Sequence, residues 1–142
     1  MIEFDRKQGI GGSDATRLYQ GNWYELWQEK TGETEPADLT DVLPVQMGIH
    51  TEDFNIKWFE KQTGMKVTGY QTPFYHEKYP FMYAHVDGLI LDDDKAIVEC
   101  KHTNAFSNPK KVADRYKAQL QHYLMVTKYP KVYVSMFFGN MK

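Results

Sequence analysis

The fold of this chain is decided by the stretch Val86-Asp87-Gly88-Leu89-Ile90 and, after an acidic connection, Ile97-Val98-Glu99-Cys100-Lys101. Each half is a short apolar run, and the pattern predicts two strands joined in a β-hairpin. Side chains alternate between the two faces of a strand, so Glu99 and Lys101 point to one face and Cys100 to the other. The hairpin therefore decides which polar side chains of this region lie together.

A connection centred near Asp93 places Asp87 opposite Glu99, with their Cβ atoms about 5 Å apart, whereas a shift of one residue would destroy this register. Two carboxylates at that distance repel each other unless a cation neutralises them, and their oxygen atoms suit Mg²⁺, with Mn²⁺ as an alternative. The backbone carbonyl of Cys100 offers another oxygen ligand. The spacing from Asp87 to Glu99 and Lys101 is typical of a metal-dependent phosphodiesterase site. Lys101 would orient or deprotonate a metal-bound water, or stabilise charge on the phosphate.

An ordinary hairpin is the alternative, because Asp-Gly is common in turns and alternating Glu and Lys often occupy an exposed strand face. Another acidic candidate is Glu52, on a predicted long helix with Gly48 one turn earlier; it is either a further metal ligand or a surface glutamate. On a later predicted helix, Gln119, His122 and Tyr123 share one face through their i, i+3, i+4 spacing. They would contact phosphate or a metal-bound water, or else form a polar outer face.

The composition limits the class of protein. The 142 residues suffice for one domain with a single core, and 42% apolar with 15% aromatic residues indicates a globular chain. The single cysteine excludes an intramolecular disulfide, and the five histidines lack the usual zinc spacings. No apolar run reaches the roughly 18 residues of a membrane span and no signal peptide is visible, so we expect a soluble protein of the cytoplasm of a bacterial or phage-infected cell.

The net charge of −2 gives no overall basic field that would indicate nucleic-acid binding. Some basic residues nevertheless cluster along the chain, where they would either follow a phosphate backbone or form a solvated surface. These residues are Lys101, His102, Lys110, Lys111, Arg115 and Lys117.

The remaining sequence predicts helices around a small sheet. A glycine-rich turn leads into a short helix with Ser13 as its N-cap, and further helices are expected at 22–30, 45–63 and 112–127. The 45–63 helix is predicted to end at Gly64 and to bury one stripe of side chains. That stripe consists of Ile49, Phe54, Trp58 and Phe59. Strands are predicted at 65–67, 72–75, 81–90, 96–101 and 131–138, which gives a mixed α/β or α+β domain.

The candidate residues fall within an ordered series of motifs that covers nearly the whole chain. The series is Ile10-Gly11-Gly12-Ser13-Asp14-Ala15, Leu26-Trp27-Gln28-Glu29-Lys30-Thr31-Gly32, Gly48-x-x-x-Glu52, Thr63-Gly64, Asp87-Gly88, Glu99-Cys100-Lys101 and Gln119-Leu120-Gln121-His122-Tyr123. Each motif is weak by itself, but their order is specific. The series resembles that of the YqaJ-like viral recombinase family, which belongs with the lambda phage exonuclease in the PD-(D/E)XK nuclease superfamily.

The resemblance implies a PD-(D/E)XK restriction-endonuclease-like core, with a small mixed β-sheet flanked by helices, that cleaves DNA with Mg²⁺. It assigns metal binding to Asp87 and Glu99, with Glu52 as an accessory acidic ligand. Lys101 takes the role of activating the attacking water. Gln119 helps to place the water or the scissile phosphate.

In exonucleases of this type an arginine seven residues before the serine of the first motif helps to bind a 5′-phosphate. Arg6 and Ser13 have this spacing. His85 stands two positions before Asp87, where the lambda-like enzymes carry a small hydroxyl residue, and it can also donate to phosphate. The resemblance implies 5′-to-3′ digestion of double-stranded DNA ends, which leaves single strands for recombination with a single-strand annealing protein as a candidate partner.

One nuclease domain is expected over 1–142, with N-terminal helices and the DNA-end-binding motif in 1–43 and the catalytic core in 44–142. The sequence leaves the oligomeric state open. Within the same chemistry the alternative is an endonuclease or nickase, and from a different class a catalytically inactive, nuclease-like DNA-binding module. A small-molecule hydrolase finds no support, because the sequence has neither a nucleophile elbow nor a P-loop.

Overall fold

The computed structural model describes residues 5–92 and 95–139. Those residues form a short 3-10 helix (Arg6–Gln8), four α-helices and five β-strands. The helices are α1 (Gly12–Tyr19), α2 (Trp23–Thr31), α3 (Leu43–Thr63) and α4 (Pro109–Thr127). The strands are β1 (Thr72–Tyr75), β2 (Tyr83–Val86), β3 (Gly88–Ile90), β4 (Ala96–Thr103) and β5 (Val132–Phe138). The four predicted helices and the strands predicted at 72–75, 96–101 and 131–138 are confirmed, with small differences at their ends.

Local chemistry explains where the helices begin and end. Gly32 after α2 and Gly64 after α3 adopt left-handed backbone angles, with φ of 83° and 72°, which is how glycine commonly terminates a helix. Pro44 lies in the first turn of α3, where its missing N–H leaves no hydrogen bond unmade.

The three-stranded sheet has the order β3-β4-β5, with β3 antiparallel and β5 parallel to β4. The sheet is therefore mixed, as predicted. Gly88 pairs with Val98, so continuing this register by one residue sets Asp87 opposite Glu99. The middle of the connection, residues 93 and 94, lies outside the described residues, but the pairing on either side agrees with a centre at Asp93.

Two predicted strands differ from the structure. The strand predicted at 81–90 is divided into β2 and β3 at Asp87, because the Asp87 side chain, through Oδ2, accepts the backbone N–H of Cys100 at 2.8 Å. The strand predicted at 65–67 does not form; only Thr68 makes an isolated bridge, to Leu89. The short chain segment before β1 is thus attached to the sheet at one point.

The prediction of which face of α3 is buried was wrong for three of its four residues. Ile49, Phe54 and Trp58 are 59%, 58% and 36% exposed, and only Phe59 lies in the core. The buried face contains a polar residue, Asn55, which a search for apolar periodicity passes over. Phe54 instead packs at the surface, with ring centroids 6.3 Å from Trp58 and 5.7 Å from Phe137.

The chain divides into two compact units, each built from three segments. The first unit contains the chain up to Ala37, Pro73–His85 and Arg115–Lys128; the second contains Asp38–Thr72, Val86–Asp114 and the chain from Tyr129 onward. The core of the second unit is a cluster formed by Ile56, Phe59, Val67, Ile90, Ala96 and Val98. The division of the chain into an N-terminal DNA-end-binding part, 1–43, and a catalytic core, 44–142, remains a prediction. In the described part of the chain, no helix combines the length and the apolar character needed to cross a membrane.

Candidate active site

The acidic side chains predicted to act together are gathered in the second unit. Asp87 sits between β2 and β3 and Glu99 lies within β4, and the charge of Glu99 is close enough to raise the pKa of Asp87. Lys101, two residues further along β4, places its Nζ atom 2.8 Å from Glu99 Oε1. The side chains of Lys101 and Glu99 are only 15% and 5% exposed. A solvated hairpin face, the alternative from sequence, is therefore wrong.

Burial and mutual repulsion govern the protonation of this pair. Burial first, and then the charge of Glu99, raises the pKa of Asp87 from 3.8 to about 7. Burial likewise raises the pKa of Glu99, although the Lys101 ammonium beside it acts in the opposite direction. Like charges held this close repel each other, so a cation beside the pair would favour the ionised form of both carboxyl groups.

Glu52 belongs to the same cluster. It lies on α3, and burial followed by the charge of Asp87 raises the pKa of its carboxyl group. Gln71 links the two residues: its Nε2 atom donates to Glu52 Oε1 at 2.5 Å and to Asp87 Oδ1 at 3.3 Å. The sequence analysis missed Gln71, because a lone glutamine before a short strand carries no motif.

The donor set of this cluster fits a hard divalent cation. Asp87, Glu99 and Glu52 supply carboxylate oxygens, and a cation would relieve the repulsion between them. Among residues 5–92 and 95–139, no group of three His, Cys, Asp or Glu side chains is already arranged to bind a metal ion. Within the cluster, the Gln71 amide joins Glu52 to Asp87.

Cys100 can contribute to this site through its backbone alone. Its side chain packs against the core cluster on the opposite face of β4, as the strand alternation predicts. Burial raises the pKa of the thiol, which therefore stays protonated at neutral pH. A role for the Cys100 carbonyl as a metal ligand remains a prediction.

In the first unit, Arg6 and Ser13 are brought together as their spacing predicts. Arg6 Nη2 donates to Ser13 Oγ at 2.9 Å on an exposed surface. Ser13 is not the N-cap of α1, contrary to the prediction: the cap is Gly11, whose N–H donates to Asp14 Oδ2 at 2.9 Å. Because Asp14 takes over the capping, the Ser13 hydroxyl is available to Arg6. Asp14 itself is held by Lys30, with Nζ and Oδ2 2.8 Å apart.

His85 belongs to the same unit as Arg6. Burial first, and then the positive charge of Arg6, lowers the pKa of His85, so the imidazole is neutral at pH 7. A neutral imidazole can still donate one N–H to a phosphate oxygen.

The face of α4 that carries Gln119, His122 and Tyr123 is buried, so the polar outer face considered from sequence is wrong. The three residues are 7%, 5% and 6% exposed. Gln119 Nε2 donates to the Tyr123 hydroxyl at 2.9 Å, and His122 Nε2 lies 2.8 Å from the carbonyl oxygen of Tyr83. Gln119 belongs to the first unit, and its assignment beside the water or scissile phosphate remains a prediction.

The start of α1 leaves no room for a side chain at Gly12. A Cβ atom there would lie 2.4 Å from Tyr123 Cε1 and 2.8 Å from Gln119 Cγ, whereas one at Gly48, in α3, would meet nothing within 4 Å. We expect Gly12→Ala to lower the free energy of unfolding by about 1–3 kcal/mol through overpacking. Gly48→Ala, the matched control, should raise it by about 0.5–1 kcal/mol because alanine favours the helix. Urea unfolding of both variants measures this, and equal stabilities would contradict the packing seen at Gly12.

Comparison with known families adds a sequence relationship. A family model described as YqaJ-like viral recombinase domain matches residues 3–130. The Bacillus subtilis (strain 168) protein described as uncharacterized protein YqaJ is 36% identical over 148 aligned residues. The alignment covers 97% of this chain and 46% of that protein, so the chain spans about half the length of this relative.

Comparison with solved structures adds the fold. The crystal structure of LHK-Exo in complex with dAMP matches with a TM-score of 0.72 at 19% identity, over 96% of this chain and 73% of that one. The crystal structure of the alkaline exonuclease LHK-Exo from Laribacter hongkongensis matches with a TM-score of 0.67 at 19% identity, over 91% and 71%. The predicted α+β fold of the PD-(D/E)XK type is confirmed.

Proposed function

Because the chain belongs to the family of YqaJ-like viral recombinase domains, we propose that it is a metal-dependent deoxyribonuclease that digests double-stranded DNA from its ends. The observation that carries this proposal is the buried Asp87–Glu99 pair with Lys101 on the same face of β4. A buried acidic pair destabilises a fold unless its charge is neutralised, so its presence beside a partly buried lysine favours a functional role over a structural one.

In this proposal Asp87 and Glu99 hold Mg²⁺, or Mn²⁺ in its place, with Glu52 as an accessory ligand. When bound, such an ion polarises a phosphoryl oxygen and lowers the pKa of a water molecule. The ion pair with Glu99 fixes the Lys101 Nζ atom for contact with the attacking water or the charged phosphate. Gln119, fixed by Tyr123, orients the water or the scissile phosphate.

Arg6, Ser13 and His85 are proposed to bind a terminal 5′-phosphate. The guanidinium group and the Ser13 hydroxyl already lie side by side on an exposed surface, so both can turn their donors to phosphate oxygens without a large rearrangement. Recognition of a 5′-phosphate gives 5′-to-3′ polarity. The remaining single strand would then serve an annealing protein in phage recombination.

A time course on linear and closed circular duplex DNA with Mg²⁺, resolved by strand, tests the function. We expect loss of the 5′-terminated strand of the linear duplex and an intact circle. Equal cutting of the circle would favour the endonuclease or nickase. Binding of DNA without any digestion would favour the inactive module.

Arg6→Ala is expected to reduce the preference for phosphorylated ends. The parent should digest a 5′-phosphorylated duplex about 10-fold to 100-fold faster than a 5′-hydroxyl duplex, because charge-assisted hydrogen bonds to phosphate contribute about 1.5–3 kcal/mol. The variant should digest both slowly and at similar rates. Lys7→Ala, a change at the neighbouring exposed basic residue, is the matched control and should keep the preference. An unchanged preference in Arg6→Ala would remove Arg6 from end recognition.

A further inference from the structure

The amide of Gln71 occupies the position between two of the proposed metal ligands. One nitrogen, Nε2, donates to Glu52 Oε1 and to Asp87 Oδ1. We propose that Gln71 is a positioning residue that holds the place of the divalent ion: its amide bridges Glu52 and Asp87 in the metal-free protein and is displaced when the ion binds. This inference rests on the proposed function and assigns a role to a residue outside the motifs of the chain.

The backbone that carries Gln71 is fixed, although the residue itself is exposed. Gln71 has a φ of 54°, a left-handed conformation that is uncommon for residues other than glycine and is typical of functional sites. The turn before it is attached to β3 by two backbone hydrogen bonds between Thr68 and Leu89, of 2.8 and 2.7 Å. The Thr72 N–H closes the turn on the Gly69 carbonyl at 3.2 Å. Only the side chain of Gln71 is therefore able to move while the turn stays in place.

The chemistry of the bridge explains why the amide would give way. A primary amide offers two N–H donors but no net charge, so it satisfies one oxygen of each carboxylate without neutralising either. A divalent ion that is shared by Glu52 and Asp87 needs oxygens of the same two carboxylates and also supplies charge. The amide and the ion therefore compete, and the ion has the stronger interaction.

The bridge gives the site a defined geometry before the ion arrives. Without a donor between them, the carboxylates of the half-buried Glu52 and the buried Asp87 would separate by rotating their side chains away from each other. The amide keeps them converging, at the cost of a lower affinity for the ion, which must first break two hydrogen bonds. Removing the amide should therefore lower the stability of the metal-free protein and raise its affinity for the ion.

Titration with Mn²⁺ in the absence of DNA, together with thermal melts in a chelator, tests the proposal. For Gln71→Ala we expect a lower melting temperature in the chelator and an affinity for Mn²⁺ that rises about 3-fold to 10-fold, corresponding to the loss of one or two hydrogen bonds that the ion must break. Gln62→Ala, an exposed glutamine on α3, is the matched control and should match the parent in both measurements. Gln71→Lys provides a second variant, since its ammonium group would supply the charge itself and should weaken Mn²⁺ binding by at least about tenfold.

The outcomes separate this inference from the proposed function. Unchanged Mn²⁺ affinity in Gln71→Ala would overturn the inference, and a weaker affinity would show that Gln71 is a ligand of the ion rather than its replacement. Both results leave the proposed function standing if Asp87→Asn abolishes Mn²⁺ binding. Absence of Mn²⁺ binding to the parent protein would overturn the proposed function and the inference together.

Discussion

Replacing Lys101 with alanine is expected to lower the rate of Mg²⁺-dependent DNA digestion by about 10²-fold to 10³-fold, the usual loss when one group that stabilises transition-state charge is removed. The physical reason is the placement of the Lys101 ammonium, which is 15% exposed and fixed 2.8 Å from Glu99 Oε1. Charge that develops on a phosphate next to a partly buried, preorganised ammonium is stabilised more than in water. Initial rates on a 5′-phosphorylated linear duplex measure the effect.

The matched control for this prediction is Lys57→Ala. Lys57 is an exposed lysine on α3 that pairs with Asp53 at 2.8 Å, and its removal should leave the rate within about a factor of two. Lys101→Met keeps most of the aliphatic stem, so it separates loss of the charge from loss of packing. Parental rates in both Lys101 variants, with Mn²⁺ binding intact, would contradict the role assigned to Lys101.

Asp87→Asn is expected to abolish digestion and yet to stabilise the metal-free protein at alkaline pH. The pKa of Asp87 is raised from 3.8 to about 7 in the folded state. The folded protein therefore keeps a proton that the unfolded chain loses, so the free energy of unfolding falls as the pH rises from about 4 to about 7. The gap between the two pKa values corresponds to about 4 kcal/mol, and Glu99, whose pKa is also raised, acts in the same direction.

Asparagine imitates the protonated carboxyl group at every pH, so the variant should not lose stability as the pH rises. Chemical unfolding in a chelator should show that Asp87→Asn is more stable than the parent at pH 8 and equally stable at pH 4. Mg²⁺ should stabilise the parent at pH 8 and leave the variant unchanged. Asp53→Asn, at an exposed carboxylate, should show no gain at either pH. A variant less stable than the parent at pH 8 would show that the cluster is not under electrostatic strain.

The sequence alone was sufficient to predict the register of the hairpin around the site. The lengths of the two apolar runs and of the acidic connection predict the register, and the structure pairs Gly88 with Val98 accordingly. The end of α3 at Gly64 was also predicted, because a glycine after an apolar period is a strong local signal. These features depend on neighbours in sequence, which is why a pattern can identify them.

The features that the sequence did not predict depend on contacts between distant segments. The buried face of α3 contains Asn55, whose amide finds its partners on two strands, so a count of apolar residues selects the wrong face. Asp14 pairs with Lys30, which lies on another helix. Gln71 reaches the carboxylates only because a left-handed turn is attached to β3. No local propensity indicates any of these contacts.

Asn55 limits which substitutions the protein can tolerate, because it joins α3 to two strands of the sheet. Its amide nitrogen reaches the carbonyl oxygens of Lys101, at 3.4 Å, and of Ser135, at 3.2 Å, while the Ser135 hydroxyl donates to its amide oxygen at 2.5 Å. Glu52 lies one helical turn before Asn55, and the Lys101 carbonyl belongs to the strand that carries Glu99. Asn55 thus sets the distance between a helix and a strand that carry two of the proposed metal ligands, Glu52 and Glu99. Substitutions on the exposed surface of α3 should therefore be tolerated. A substitution of Asn55 should instead shift Glu52 relative to Glu99, and would disturb the proposed site without changing any of its residues.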